Sequence, residues 1–248
     1  MSKKALLALL VVVLLPVVSY FAVKTLSEDA VIMPRKYFAD TVINKVVNGK
    51  NVSDTVWHSV SNIELINQLG DTVSLDDLKG NIIVANYFFT RCPTICPTLT
   101  RNMKELQDAM KMKDRRRQID ASVVRFISFS VDPERDSAEV LKRYADRYGV
   151  NHDTWWMLTG PKKTIYDYAF NELKLGLQDG GAVDSNFIHS DKFVLIDKHR
   201  VVRGYYSGLD SADMSKLPED ITLLMLEKDK TKKRKFVFEL VFRLNFTN

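Results

Sequence analysis

A chain of 248 residues that is 46% hydrophobic and 27% charged has the composition of a folded globular protein, not of a disordered one. Its formal net charge of +5 invites a nucleic-acid reading, which the charge map excludes. Lys228, Lys230, Lys232, Lys233, Arg234 and Lys235 carry +6 and Asp229 removes one, so one stretch near the C-terminus accounts for the whole excess. Tails of this kind are solvated or drawn to anionic lipid headgroups.

In chain order, Lys3 and Lys4 precede an uncharged apolar run over residues 5–23. As a helix that run measures about 28 Å, close to the hydrocarbon thickness of a bilayer. A cleaved signal peptide is the alternative. Its best cut, after Ala22, places Tyr20 where a small residue is wanted. No cysteine stands near the run to accept a lipid. Residues 1–23 are therefore predicted to be an uncleaved transmembrane anchor with the Lys flank in the cytoplasm. That puts the remainder on the periplasmic side of the inner membrane. Residues 24–56 read as a polar tether in which Tyr37, Phe38 and Val42 are able to dock, residues 57–227 as one domain, and residues 228–248 as a basic and aromatic tail.

Within the domain, Leu65 and Val73 flank Gln68-Leu69-Gly70-Asp71, a hairpin signal with glycine in the turn. Residues 82–89 form a near-continuous β-rich apolar run, the pattern of a strand buried on both faces. Ile95, Leu99, Met103, Leu106 and Met110 then recur at helical spacing, and this Met stripe reads as core packing, not as a copper box. Residues 123–131 are a second buried strand. Asp136-Ser137-Ala138-Glu139 has the form of a capping box opening a helix that stops at Gly149. A third strand is expected over 155–159, a third helix over 163–173, a hairpin over 193–206 and a final helix from Pro218 to Lys228. Strands alternating with helices before a closing hairpin give an α/β fold with a mixed central sheet flanked by helices.

The chain has only two cysteines, and both lie in Thr90-Arg91-Cys92-Pro93-Thr94-Ile95-Cys96-Pro97, at a strand-to-helix junction. Placed there, a dithiol points to a thioredoxin-like fold and to redox exchange, soft-metal binding or both. A structural disulfide is the bland alternative, although closing so short a loop stabilises little. The spacing is one residue longer than the thioredoxin Cys-x-x-Cys motif, and no proline falls between Pro161 and Pro218 to face the dithiol. Of four histidines, His199 falls in a turn, His152 after a helix end and His58 beside Trp57, whereas His189 precedes the strand Phe193-Val194-Leu195-Ile196-Asp197 and is expected to project toward the dithiol. Two thiolates and an imidazole make a soft three-ligand set suited to Cu(I) and capable of holding Cu(II). Zinc in a structural site wants a fourth ligand.

At these residues the chain resembles the Sco (SenC) family over roughly residues 57–226. The resemblance rests on the Cys92-Pro93-x-x-Cys96-Pro97 motif, on Ser128-Phe129-Ser130-Val131-Asp132-Pro133-Glu134-Arg135-Asp136, and on His189 before the strand that starts near Phe193. It implies a thioredoxin-like fold, an N-terminal anchor, and copper ligation by Cys92, Cys96 and His189, with Asp132 in support. It further implies copper delivery to the dinuclear copper site of cytochrome c oxidase subunit II, with a thioredoxin-like reductant keeping the thiols reduced. The alternative is a thiol–disulfide oxidoreductase in which Cys92 and Cys96 reduce the acceptor's cysteines without carrying metal.

Overall fold

The computed structural model describes residues 12–23, 32–47, 50–111, 121–175 and 190–227. The chain divides into two compact units, Met1–Met33 and Pro34–Asn248. In the first, residues 12–23 form a helix, α1. Among the described residues no helix is long and apolar enough to cross a membrane. Residues 1–11 of the expected anchor lie outside them, as does the tail 228–248.

The second unit begins well before the expected domain boundary. Residues 39–57, read as part of a featureless tether, form an antiparallel hairpin of β1 (Ala39–Val47) and β2 (Lys50–Trp57). Thr41, Val42, Ile43 and Asn44 are all exposed, so neither face of β1 carries the alternation that marks a half-buried strand. The hairpin is held at its base. Tyr37 N donates to Val202 O at 2.9 Å, and the Tyr37 ring meets Tyr205 edge-to-face at 5.3 Å. Phe38 packs at the same place, its ring 6.3 Å from Tyr205, whereas Val42 stays exposed.

The hairpin of β3 (Glu64–Ile66) and β4 (Thr72–Ser74) follows, and Gly70 in its turn has φ +87°, a conformation costly for any residue with a Cβ. Gln68 in that turn is buried and works as a surrogate strand. Its amide nitrogen donates to Trp155 O, and its amide oxygen accepts from Met157 N, each at 2.8 Å. These bonds cover the edge of the main sheet.

That sheet has five strands, β5 (Ile82–Phe88), β6 (Val124–Ser130), β7 (Trp155–Leu158), β8 (Lys192–Ile196) and β9 (Val202–Ser207), in the order β7-β6-β5-β8-β9. β5, β6 and β7 are mutually parallel, β8 runs antiparallel to β5, and β9 antiparallel to β8. The parallel steps need crossovers, supplied by α2 (Cys96–Lys111) and α3 (Ala138–Arg147). α4 (Lys162–Asn171) joins β7 to β8, and α5 (Ser211–Leu226) follows β9. Every residue of β5 is buried, as its near-continuous apolar run requires. Each such Ile, Val or Phe side chain stabilises the fold by about 1.5–3 kcal/mol. Leu99 and Met103 are buried on the inner face of α2, and Leu106 continues it, so the Met stripe is core.

Two helix starts differ from expectation. Ser137, not Asp136, caps α3, accepting a hydrogen bond from Val140 N. α5 begins seven residues before Pro218, because Asp210 accepts from Ala212 N and Asp213 N and supplies the N-cap. Pro218 lies inside the helix.

Candidate metal centre

β5 delivers the dithiol. It is the central strand, and the chain leaves its carboxyl end through Phe89, Thr90 and Arg91 into Cys92, at the position where open α/β sheets carry their sites. The Ile95 carbonyl accepts from Thr98 N and Leu99 N, both at 3.0 Å, and so closes the first turn of α2. Pro97, second in that helix, forfeits no bond because the first-turn amides have no helical partner.

Both thiols are buried, and neither is in a disulfide. The Cys96 amide donates to Cys92 Sγ at 3.4 Å, and Thr94 Oγ1 lies 3.6 Å from the same sulfur. Their acidities diverge. Burial pushes the Cys92 thiol up, but the Cys96 amide and thiol and the Thr94 hydroxyl outweigh it and leave Cys92 below its ordinary value. Burial dominates at Cys96, and the adjacent Cys92 sulfur adds to it, raising that thiol to about 12. Cys92 is thus the thiolate-prone partner, and Cys96 is held protonated.

Asp136 braces the loop from behind. It is completely buried and accepts three hydrogen bonds, from Thr90 N at 3.1 Å, Thr90 Oγ1 at 2.5 Å and Ser130 Oγ at 2.6 Å. The carboxylate therefore ties the residue two before Cys92 to the end of β6. Its sequence signature was misleading, because an acidic residue just ahead of a helix is the ordinary sign of a cap. Asp132 is buried as well, and its Oδ2 has no hydrogen-bond partner, only an ion pair to Arg135 at 3.7 Å. Burial and then the neighbouring Asp136 push its carboxyl up. Among the described residues no group of three or more His, Cys, Asp or Glu side chains is placed to hold a metal.

His189 lies outside the described residues. Asp191 O accepts from Gly208 N at 2.7 Å, and Gly208 O accepts from Asn102 Nδ2 of α2 at 2.6 Å. A Cβ on Gly208 would stand 2.5 Å from Leu99 Cδ2 and 2.9 Å from Phe193 Cζ. Asp191 is thereby linked, through Gly208, to the first two turns of the helix that opens with Cys96. The other three histidines are engaged elsewhere. His58 pairs with Asp40 and Glu172, His152 with Asp146 and Gln68, and His199 sits in the β8–β9 turn.

Residues 56–225 match the SCO1/SenC family model. The chain belongs to the SCO1/SenC family. The SCO1 protein homolog of Bacillus subtilis is 34% identical over 174 residues, covering 70% of this chain and 86% of the relative. A solved structure of BsSco, described as a member of the Sco family of cytochrome c oxidase assembly proteins with a disulfide switch, is 32% identical, covers 71% of this chain and 98% of its own, and superposes with a TM-score of 0.58. Bradyrhizobium japonicum ScoI with copper bound is 22% identical over 67% of this chain and 99% of its own, with a TM-score of 0.52, and shows the shared fold. The thioredoxin-like Sco fold with a mixed five-stranded sheet is therefore the fold of this chain.

Proposed function

We propose that this Sco protein is a copper metallochaperone that takes copper on Cys92, Cys96 and His189 and passes it to the dinuclear copper site of cytochrome c oxidase subunit II. The observation that carries the reading is the buried dithiol at the end of β5, with the chain two residues past His189 linked to the same helix. The residues present fit the cargo. Two sulfurs, one of them inclined to ionise, suit a soft cation, and an imidazole completes a set of three. Three ligands leave room for an incoming thiolate before one departs, which suits hand-over. Asp132 stands in support near the site and does not ligate. Residues 1–23 anchor the protein in the inner membrane, residues 24–33 connect the anchor to the folded unit, and the domain works on the periplasmic side.

The test is copper titration of the reduced protein, wild type against His189→Ala. The variant should lose affinity at least tenfold while its unfolding transition is unchanged. Equal affinity would remove His189 from the site.

A second reading is favoured by one contact. The Cys96 amide aimed at Cys92 Sγ stabilises a thiolate there, as an attacking thiol in disulfide exchange requires. In this reading the chain reduces the acceptor's cysteines and carries no metal. A mixed disulfide formed by Cys96→Ser with subunit II, unaffected by His189→Ala, would favour it over the first.

A further inference from the structure

Ser190 and Asp191 are the first described residues after His189, and both are restrained as they enter β8. Asp191 grips Ser207-Gly208, at the end of β9, with two acceptors. Its carbonyl accepts from Gly208 N at 2.7 Å, and its carboxylate Oδ2 accepts from Ser207 Oγ. Ser190 Oγ accepts from Lys192 N at 3.2 Å, a serine turn that sets the direction of entry.

The partners of Asp191 are themselves held. Ser207 pairs with Lys192 in the β8–β9 ladder, and its amide donates to Asp213 Oδ2 in the first turn of α5 at 2.7 Å. Gly208 O accepts from Asn102 of α2. Both α2 and α5 therefore bear on Asp191, one through Gly208 and the other through Ser207. The Lys192 ammonium stands 3.4 Å from the Asp191 carboxylate but is 43% exposed, and exposed ion pairs contribute little. The hydroxyl bond to a part-buried carboxylate is the stronger hold. Covalent geometry extends that hold along the chain. Consecutive Cα atoms stand about 3.8 Å apart, so fixing residues 190 and 191 confines the imidazole carried one residue earlier. A ligand that must be ordered when metal arrives lowers the apparent affinity by the fraction of time it is in place.

We propose that Asp191 is a positioning residue for the copper site, holding the chain so that His189 is presented to Cys92 and Cys96, with Ser207 as its anchor. Asp191 touches no metal. Its carboxylate works as a hydrogen-bond acceptor, and its charge is incidental. The inference rests on the three-ligand reading above. Groups that orient a metal ligand typically raise affinity by about 10–100-fold.

The test is titration of the reduced full chain in detergent with Cu(I) against a competing chelator, with thermal unfolding of each metal-free variant alongside. Asp191→Ala should weaken Cu(I) binding about tenfold. Asp191→Asn, whose amide oxygen still accepts from Ser207 Oγ, should stay within about twofold of wild type, a rescue that a charge effect would not allow. In a His189→Ala chain, Asp191→Ala should cause no further loss, because it acts only through the imidazole. Should Asp191→Ala fail to fold, Ser207→Ala, which removes only the hydroxyl, decides in its place. Wild-type affinity in Asp191→Ala beside a weakened His189→Ala overturns the positioning role and leaves the three-ligand site standing. An equal loss from Asp191→Ala with and without His189 also overturns it, as does an Asp191→Asn as weak as Asp191→Ala. Wild-type affinity in His189→Ala removes both the three-ligand site and the role of Asp191 in it.

Discussion

Asp136 and Thr90 stand 46 residues apart in the chain, yet the Asp136 carboxylate receives both the amide and the hydroxyl of Thr90. The segment that leads from β6 into α3 thereby holds the loop that carries the first cysteine. Asp136→Asn removes the charge and turns an amide NH2 toward at least one of three donors. Hydrogen bonds to a buried charge contribute about 1.5–3 kcal/mol. The variant should therefore melt roughly 4–10 °C lower, at about 2–4 °C per kcal/mol for a domain of this size. A thermal scan showing no shift would mean that Asp136 does not brace the loop.

The two thiols should be distinguishable by alkylation of the metal-free, reduced protein. A thiolate forms as pH rises through the thiol's pKa, so lowered Cys92 reacts first, and at pH 8 iodoacetamide should add once. Cys92→Ser should be nearly inert there, because Cys96 ionises only near 12. The raised value has a stability consequence. Above the ordinary thiol value of 9.0 the unfolded chain binds fewer protons than the native one, so the Cys96 contribution erodes from pH 9 toward 12. Peptide mapping after timed alkylation checks the order, and equal labelling would refute it.

Gly208→Ala places a methyl against Leu99 and Phe193. Overpacking of this kind costs about 1–3 kcal/mol. Urea unfolding should show that loss, and it should be relieved when Leu99→Ala makes room in the same chain. An additive double variant would show that the two residues do not touch.

Arg203→Met leaves the buried Asp197 Oδ2 without the guanidinium that donates to it at 2.8 Å. Removing one partner of a buried pair costs about 3–5 kcal/mol. Asp197 also accepts from His199 N and Val201 N, so Arg203→Met combined with Asp197→Asn should be less damaging than the single change. Urea unfolding of the three variants measures the coupling. A double variant worse than Arg203→Met would contradict it.

The sheet and the dithiol were legible because their signals are local. The apolar run of β5, the three-and-four spacing from Leu99 to Leu106, and two cysteines flanked by prolines each declare a structure within a dozen residues. What escaped depends on partners far along the chain. β1 and β2 pair across surfaces exposed to water, so no apolar alternation marks them. Asp136 imitates a helix cap because its donors at Thr90 and Ser130 become neighbours only through the tertiary fold. Pro218 looks like a helix start, yet the Asp210 cap lies earlier, and the packing of Leu217 and Ile221 keeps the proline inside. Arg203 reads as an ordinary strand cation until the Pro34 carbonyl and the Glu227 carboxylate converge on it.

The sheet order also sets a timetable. β5 receives its second neighbour, β8, only after Ile196 has been made, 113 residues beyond Ile83. At ribosomal speeds of about 5–20 residues per second, that interval is roughly 6–20 s. Throughout it the strand that leads to the dithiol has at least one unpaired edge, and the segment ending in Gly208 that packs on Leu99 does not yet exist. On the proposed periplasmic placement, the nascent chain meets oxidants before its thiols are shielded. If the dithiol works in reduced form, as proposed, a reductant would then be needed during biogenesis as well as during the working life of the protein.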